Sequence, residues 1–244
     1  MINFHCSRTQ LKKIKNQMFE YIHPKPIPFY QPITDNNENI VGFEVLARHL
    51  DNNEYKSFHF NELTREHTLD IDIGILQSVF NEFSSMTKKN ISFISFNLTP
   101  AKPSWYYCQI LIDTIKEAQK HNITIWIEIP EHTPLHHSHI MLLQQLKNYH
   151  VKVVFDDFGT KESQFQRLLA MEYDIVKFDR QLLLKAIENN HAMNMFKKLV
   201  EYFQSTGKKV VCEGVETEEQ LSLVINSGFD FIQGYALGKP KPNY

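Results

Sequence analysis

The stretch from Trp105 to Asp157 reads WYYCQILIDTIKEAQK (105–120), ITIWIE (123–128), LHHSHIMLLQQLKN (135–148) and VKVVFDD (151–157). Each amphipathic helical segment runs into a short β-rich segment, and each strand ends on a carboxylate. Working outward, the same alternation recurs: a helix over Leu69 to Met86 precedes a strand over Ile91 to Asn97. Downstream, helices over Ser163 to Met171, Gln181 to Gln204 and Glu218 to Asn226 precede strands over Ile175 to Phe178, Lys209 to Glu213 and Phe231 to Gln233. Strands joined through helices run parallel, because each crossover returns the chain to its starting edge. Upstream, Ile27 to Ile33 and Ile40 to Leu46 flank the turn-rich Asp35-Asn36-Asn37-Glu38-Asn39, an antiparallel hairpin pattern.

Eight strands in 244 residues predict one α/β domain, a TIM-like (β/α)8 barrel with an antiparallel first strand. Leu11, Ile14, Met18 and Ile22 fall at helical spacing before His23-Pro24-Lys25-Pro26, so residues 1–26 are expected to form a helical extension ahead of a barrel at 27–244. Lys239-Pro240-Lys241-Pro242 cannot sustain a helix, so the helix expected after the eighth strand is missing. The N-terminal helix or a dimer partner is expected to cover that wall.

Composition narrows the function. With 26 Lys and Arg against 28 Asp and Glu, the formal charge is −2, which disfavours polymeric nucleic acid or an anionic membrane as partner. Hydrophobic residues at 42% and charged residues at 22% exclude wholesale disorder. Cys6, Cys108 and Cys212 are too widely spaced for a disulfide framework or zinc motif and fit free thiols in a reducing cytosol. The sequence contains neither a secretory leader pattern nor a run of about 18 apolar residues, so a cytoplasmic location is expected.

The successive strand ends carry Glu44, Asn97, Glu128, Asp156-Asp157, Lys177, Glu213 and Gln233. One acid after a strand is commonly a helix cap. Caps do not call for Asn97 and Lys177, and in a parallel barrel these ends open on one face. Five carboxylates and one ammonium leave a local −4, which requires cations or protons. Oxygen donors suit hard ions such as Mg²⁺ or Mn²⁺. Two such ions would cancel the charge, and a pair of metals is an apparatus for displacement at phosphorus. The residues thus predict a metal-dependent phosphoesterase.

At these positions the chain resembles the EAL-domain family, bacterial phosphodiesterases that open cyclic di-GMP to linear pGpG. The matching segments are FYQPI (29–33), GFEVLAR (42–48), FNLTP (96–100), IEIPE (127–131), FDDFGT (155–160), VKFDR (176–180), EGVETEEQL (213–221) and QGY (233–235), in family order. The resemblance implies metal ligation by Glu44, Asn97, Glu128, Asp156, Asp157 and Glu213, with Lys177 orienting or activating water. It also implies that Glu131 steadies the loop after Asp157, that Gln233 supports the site, and that Gln31, Leu46 and Arg48 contact the nucleotide. A homodimer is likewise implied. The chain departs from the family at Val45 in the signature tripeptide, at Pro130, at Cys212, and at Lys161-Glu162, where the family carries glycine and tyrosine. A non-catalytic adaptor that binds a regulatory protein or the dinucleotide is the alternative; it is free to lose ligands, and none is lost here.

Other conspicuous residues have plainer readings. His132, His136, His137 and His139 are expected on a solvated loop and helix start rather than at zinc. Trp105-Tyr106-Tyr107 is expected to pack on the barrel, and Cys212 to fill a buried space.

Overall fold

The computed structural model describes residues 24–130, 135–160 and 165–244. Nine strands form one sheet: β1 (Ile27–Thr34), β2 (Ile40–Asp51), β3 (Glu54–Ser57), β4 (Phe93–Asn97), β5 (Thr124–Pro130), β6 (Lys152–Phe158), β7 (Ile175–Phe178), β8 (Lys209–Cys212) and β9 (Phe231–Gln233). Their order is β1-β9-β8-β7-β6-β5-β4-β2-β3, and an added β1–β2 pairing closes an eight-stranded barrel. β1 is antiparallel to both neighbours, as the hairpin pattern predicts, and the remaining barrel pairings are parallel. β3, absent from the sequence-based expectation, prolongs the β2 edge outside the barrel, and all four of its residues are exposed.

Among the described residues the α-helices are α1 (Arg65–Val79), α2 (Phe83–Thr87), α3 (Trp105–Lys120), α4 (His137–Leu146), α5 (Phe165–Ala170), α6 (Arg180–Glu188), α7 (Asn190–Ser205) and α8 (Glu218–Asn226). Several begin at side chains that accept an otherwise unpaired helix N–H: Ser104 for α3, Asp179 for α6, Asn189 for α7 and Thr217 for α8. Two expected helices are each divided. The span 181–204 breaks where Asn189 is extended, at φ −160° and ψ 156°, and caps α7; the span 69–86 separates into α1 and α2.

Alternation along the strands sorts the core. Outward residues such as Val45, Ile94, Ile127, Phe155, Phe178 and Val210 pack beneath the helices. Inward residues Ile33, Phe93, Trp126, Val154, Ile175 and Val211 form a separate apolar plug, the filled interior expected of a barrel this size. Phe93 and Trp126 stack at 3.6 Å between centroids. Gly42 lets the Phe93 ring in, since a Cβ there would lie 2.3 Å from it.

No helix follows β9 among the described residues. The chain instead turns back across β1, where Tyr30 and Lys241 exchange backbone hydrogen bonds of 2.7 and 3.1 Å. Tyr244 then packs against Tyr30 and Phe43. This return covers part of the wall left by the missing helix. The expected helix at 9–22 lies outside the described residues.

Candidate active site

A strand's two-residue period carries the apolar plug directly into the polar cluster. Two residues beyond Gly42, Trp126, Val154, Ile175, Val211 and Phe231 stand Glu44, Glu128, Asp156, Lys177, Glu213 and Gln233. Gln31 reaches the same level from the antiparallel β1, paired in register with Glu44.

Lys177 is the centre of this layer and is 1% exposed. Its Nζ lies 2.6 Å from Glu213 Oε1, 3.1 Å from Glu128 Oε2, 3.1 Å from Asp156 Oδ1 and 3.5 Å from Glu44 Oε2. Burial opposes its charge, but these carboxylates outweigh burial and hold its pKa well above the ordinary value. Glu44 is also buried, yet Lys177, Gln233 and Asn97 bring its pKa below the ordinary value. Gln233 Nε2 donates to Glu44 Oε2 at 2.7 Å, and Asn97 Nδ2 donates to Oε1 at 3.0 Å.

One ammonium cannot balance the other acids. Burial and the neighbouring charges push Glu128 well above the ordinary carboxylate range, and Asp156 is raised for the same reasons. Burial, then the Asp156 charge, raises Asp157 to about 7; Glu213 rises to about 8, with burial the largest cause. Ser95, which the sequence reading passed over, donates to Glu128 Oε1 at 2.5 Å. Its signal was its place two residues before Asn97 on the same inward face.

Adjacent strand residues normally face opposite ways, so Asp156 and Asp157 should not share a pocket. Here Asp157 adopts φ 59°, and the β6–β7 register slips between Phe155 and Phe158. This bulge re-aims the second carboxylate. Oxygens of Asp156, Asp157 and Glu213 consequently lie within 4.8 Å of one another.

Beside this cluster, a pocket of about 300 Å³ is lined by Leu46, Arg48, Asn97, Leu98, Thr99 and Asp72, among others. Arg48 Nη1 donates to the carbonyl of Ala47 at 2.9 Å. Asp72, on α1, was not singled out from sequence. It is hydrogen-bonded to Thr99, and burial raises it to about 7. Its Oδ2 is buried without a hydrogen-bond partner. Its apolar neighbours at 69, 71, 73, 75 and 76 are all buried, a composition that signals a helix enclosed on most sides.

Glu131, His132 and Lys161-Glu162 lie outside the described residues. His136 is exposed as expected, but His139 is fully buried and caps α4. Trp105 is 72% exposed, contrary to the packing expectation, whereas Tyr107 and Cys212 are buried. Among the described residues no helix is long and apolar enough to cross a membrane.

A sequence model described as the EAL domain matches residues 22–240. The cyclic di-GMP phosphodiesterase PdeA of Borreliella burgdorferi is 27% identical over 239 residues, covering 95% of this chain and 35% of that protein. The chain thus spans about a third of that relative's length. The crystal structure of an EAL domain protein from Listeria monocytogenes superposes with a TM-score of 0.73 at 25% identity, covering 98% of this chain and 96% of that one. The Bacillus subtilis YkuI protein, in complex with c-di-GMP and calcium, has a TM-score of 0.75 at 22% identity, covering 94% and 59%.

Proposed function

We propose that this chain, which belongs to the EAL-domain family, hydrolyses cyclic di-GMP to pGpG with the aid of divalent metal ions. The observation that carries the reading is the underneutralised acid layer. Lys177 is shared among four carboxylates, and Asp157 and Glu213 are raised to about 7 and 8. An all-oxygen donor set short of positive charge fits hard cations.

Glu44, Asn97, Glu128, Asp156, Asp157 and Glu213 would hold two ions, Mg²⁺ or Mn²⁺. When bound, such ions lower the pKa of water and neutralise charge developing at the phosphorus. The chain's own residues organise the rest. Lys177 keeps the acids at fixed separations and is proposed to orient or activate the attacking water. Gln233 and Asn97 prevent Glu44 from rotating. Glu131 is proposed to steady the loop after Asp157.

On the substrate side, Arg48 has the donor geometry to grip a phosphate oxygen; Leu46 lines the same pocket, and Gln31, in register with Glu44, is proposed to contact the nucleotide as well. The adjoining pocket is sized for a purine. Asp72, which lines this pocket, is proposed to supply the carboxylate that a guanine edge, with its N1–H and exocyclic amine, requires. Coverage of the chain by the dinucleotide-binding YkuI fold is consistent with this arrangement. The same reading includes a homodimer, a cytoplasmic location, a helical extension at 1–26 ahead of the barrel at 27–244, and a regulatory protein partner of unspecified kind.

The test is nucleotide chromatography after purified protein is mixed with cyclic di-GMP and Mg²⁺ or Mn²⁺. pGpG should accumulate, cease on chelation and return with either ion; Ca²⁺, laxer in geometry, should support it poorly. Binding without turnover under all these conditions would replace the enzyme with the adaptor.

A further inference from the structure

We propose that His139 is a positioning residue for the loop after β4, holding Asn97 and the wall of the base pocket in place from α4 through a fixed Nε2–H tautomer. The functional part of this inference rests on the reading of the barrel mouth given above.

His139 is fully buried, and the ring hydrogen bonds described for it go to backbone groups. The backbone N–H of His136 donates to its Nδ1 at 3.0 Å, so that nitrogen keeps its lone pair and the ring hydrogen sits on Nε2. Nε2 in turn lies 3.1 Å from the carbonyl of Thr99 and 3.0 Å from that of Ala101. Both are acceptors only, so the other neutral tautomer would leave every one of these contacts unmade. One imidazole thereby joins the start of α4 to two carbonyls, two residues apart, of a loop from the neighbouring β/α unit.

That loop has little freedom left elsewhere. Leu98 N donates to the carbonyl of Glu128 at 2.8 Å, Thr99 bonds Asp72 on α1, and Ala101 N donates to Thr99 Oγ1 at 3.3 Å. The first two contacts pin the loop on its barrel side, and the third ties the loop to itself. His139 pins its outer side, over the segment immediately after Asn97 and along the wall formed by Leu98, Thr99 and Pro100. Loss of that anchor frees two carbonyls at the outer edge beside Asn97 while removing no donor atom from the acid layer.

Two near-isosteric replacements separate the anchor from simple core filling. In His139→Gln the amide nitrogen reaches the Nε2 position and donates to the loop carbonyls. In His139→Asn the shorter side chain presents its oxygen near the Nδ1 position, satisfying His136 but not the loop. We expect His139→Asn to speed amide hydrogen exchange across residues 97–101 by about tenfold and to raise the KM for cyclic di-GMP by a similar factor, the loss of one or two buried hydrogen bonds. His139→Gln should restore both toward wild type, with the two variants melting at similar temperatures. Equal changes in both variants, or unchanged exchange at 97–101 in His139→Asn, would overturn the proposal. The exchange measurement decides the point even if the wild-type protein turns over no cyclic di-GMP, so failure of the enzyme reading is separable from failure of the anchor.

Discussion

Gln233 holds Glu44 across an intervening strand: its amide reaches 2.7 Å to Oε2, while β1 sits between β9 and β2 in the sheet. The next residue has to be glycine, since a Cβ on Gly234 would lie 2.1 Å from the carbonyl of Val215. Gln233→Ala is therefore expected to release one oxygen of Glu44 and reduce kcat at least about tenfold, with the far-UV circular dichroism unchanged, because a lost hydrogen bond to a charged group costs roughly 1.5–3 kcal/mol. Wild-type turnover in Gln233→Ala would count against this role.

Lys177→Met removes the shared cation and keeps much of its volume. Breaking a buried ion pair costs about 3–5 kcal/mol, so the metal-free variant should melt well below wild type. Excess Mg²⁺ should recover part of that stability but not turnover. Calorimetry with and without the ion, beside the pGpG assay, checks both halves.

Metal-free stability should fall as pH rises from 5 to 8. Asp157 and Glu213 have folded pKa values raised to about 7 and 8, so the folded state keeps protons that the unfolded state releases above about pH 4. Each unit of displacement corresponds to roughly 1.4 kcal/mol. Glu44, with its pKa lowered, has the opposite sign, but its window lies below the ordinary carboxylate value. Lys177, raised well above its ordinary value, stays charged throughout this range. Melting curves in chelator should show the slope, and saturating Mg²⁺ should flatten it; a flat profile in chelator would contradict these shifts.

Asp72→Asn should raise the KM for cyclic di-GMP by about tenfold or more, since an amide nitrogen facing the guanine edge replaces an acceptor with a donor. It should not change the metal concentration for half-maximal rate. The same variant should be more stable than wild type at pH 8, because Asp72, raised to about 7 by burial, must ionise there without a full set of partners. Steady-state kinetics with a metal titration separates this pocket from the acid layer.

The barrel was legible because its strands end in a regular way. Trp126 to Glu128 and Ile175 to Lys177 are each one inward step, and that step reads directly from strand alternation. The position of Asp157 was not legible from alternation, because its left-handed backbone and the slipped β6–β7 register arise only when the strands pair. Asp72 was hidden for a different reason. In Leu69-Asp70-Ile71-Asp72-Ile73 two acids alternate with apolar residues, and sequence alone does not distinguish the exposed face from the one closed over by the loop at Thr99. His139 was misjudged similarly: four histidines near a helix start suggested solvent, whereas two backbone carbonyls from another unit enclose this one. The break at Asn189 depended on a single extended residue within an otherwise continuous helical period.

The Gln233–Glu44 contact spans 189 positions in sequence, and that distance bears on when the protein becomes competent during synthesis. Contacts this remote carry a large closure cost and form late. A ribosome-bound chain that has emerged only through β8 lacks both Glu213 and Gln233, so Glu44 has Asn97 but not its second amide partner, and its β1 has no β9 to pair with. Assembly of the acid layer is thus tied to the last act of barrel formation. On the proposed function, a truncated or stalled polypeptide should show no turnover of cyclic di-GMP.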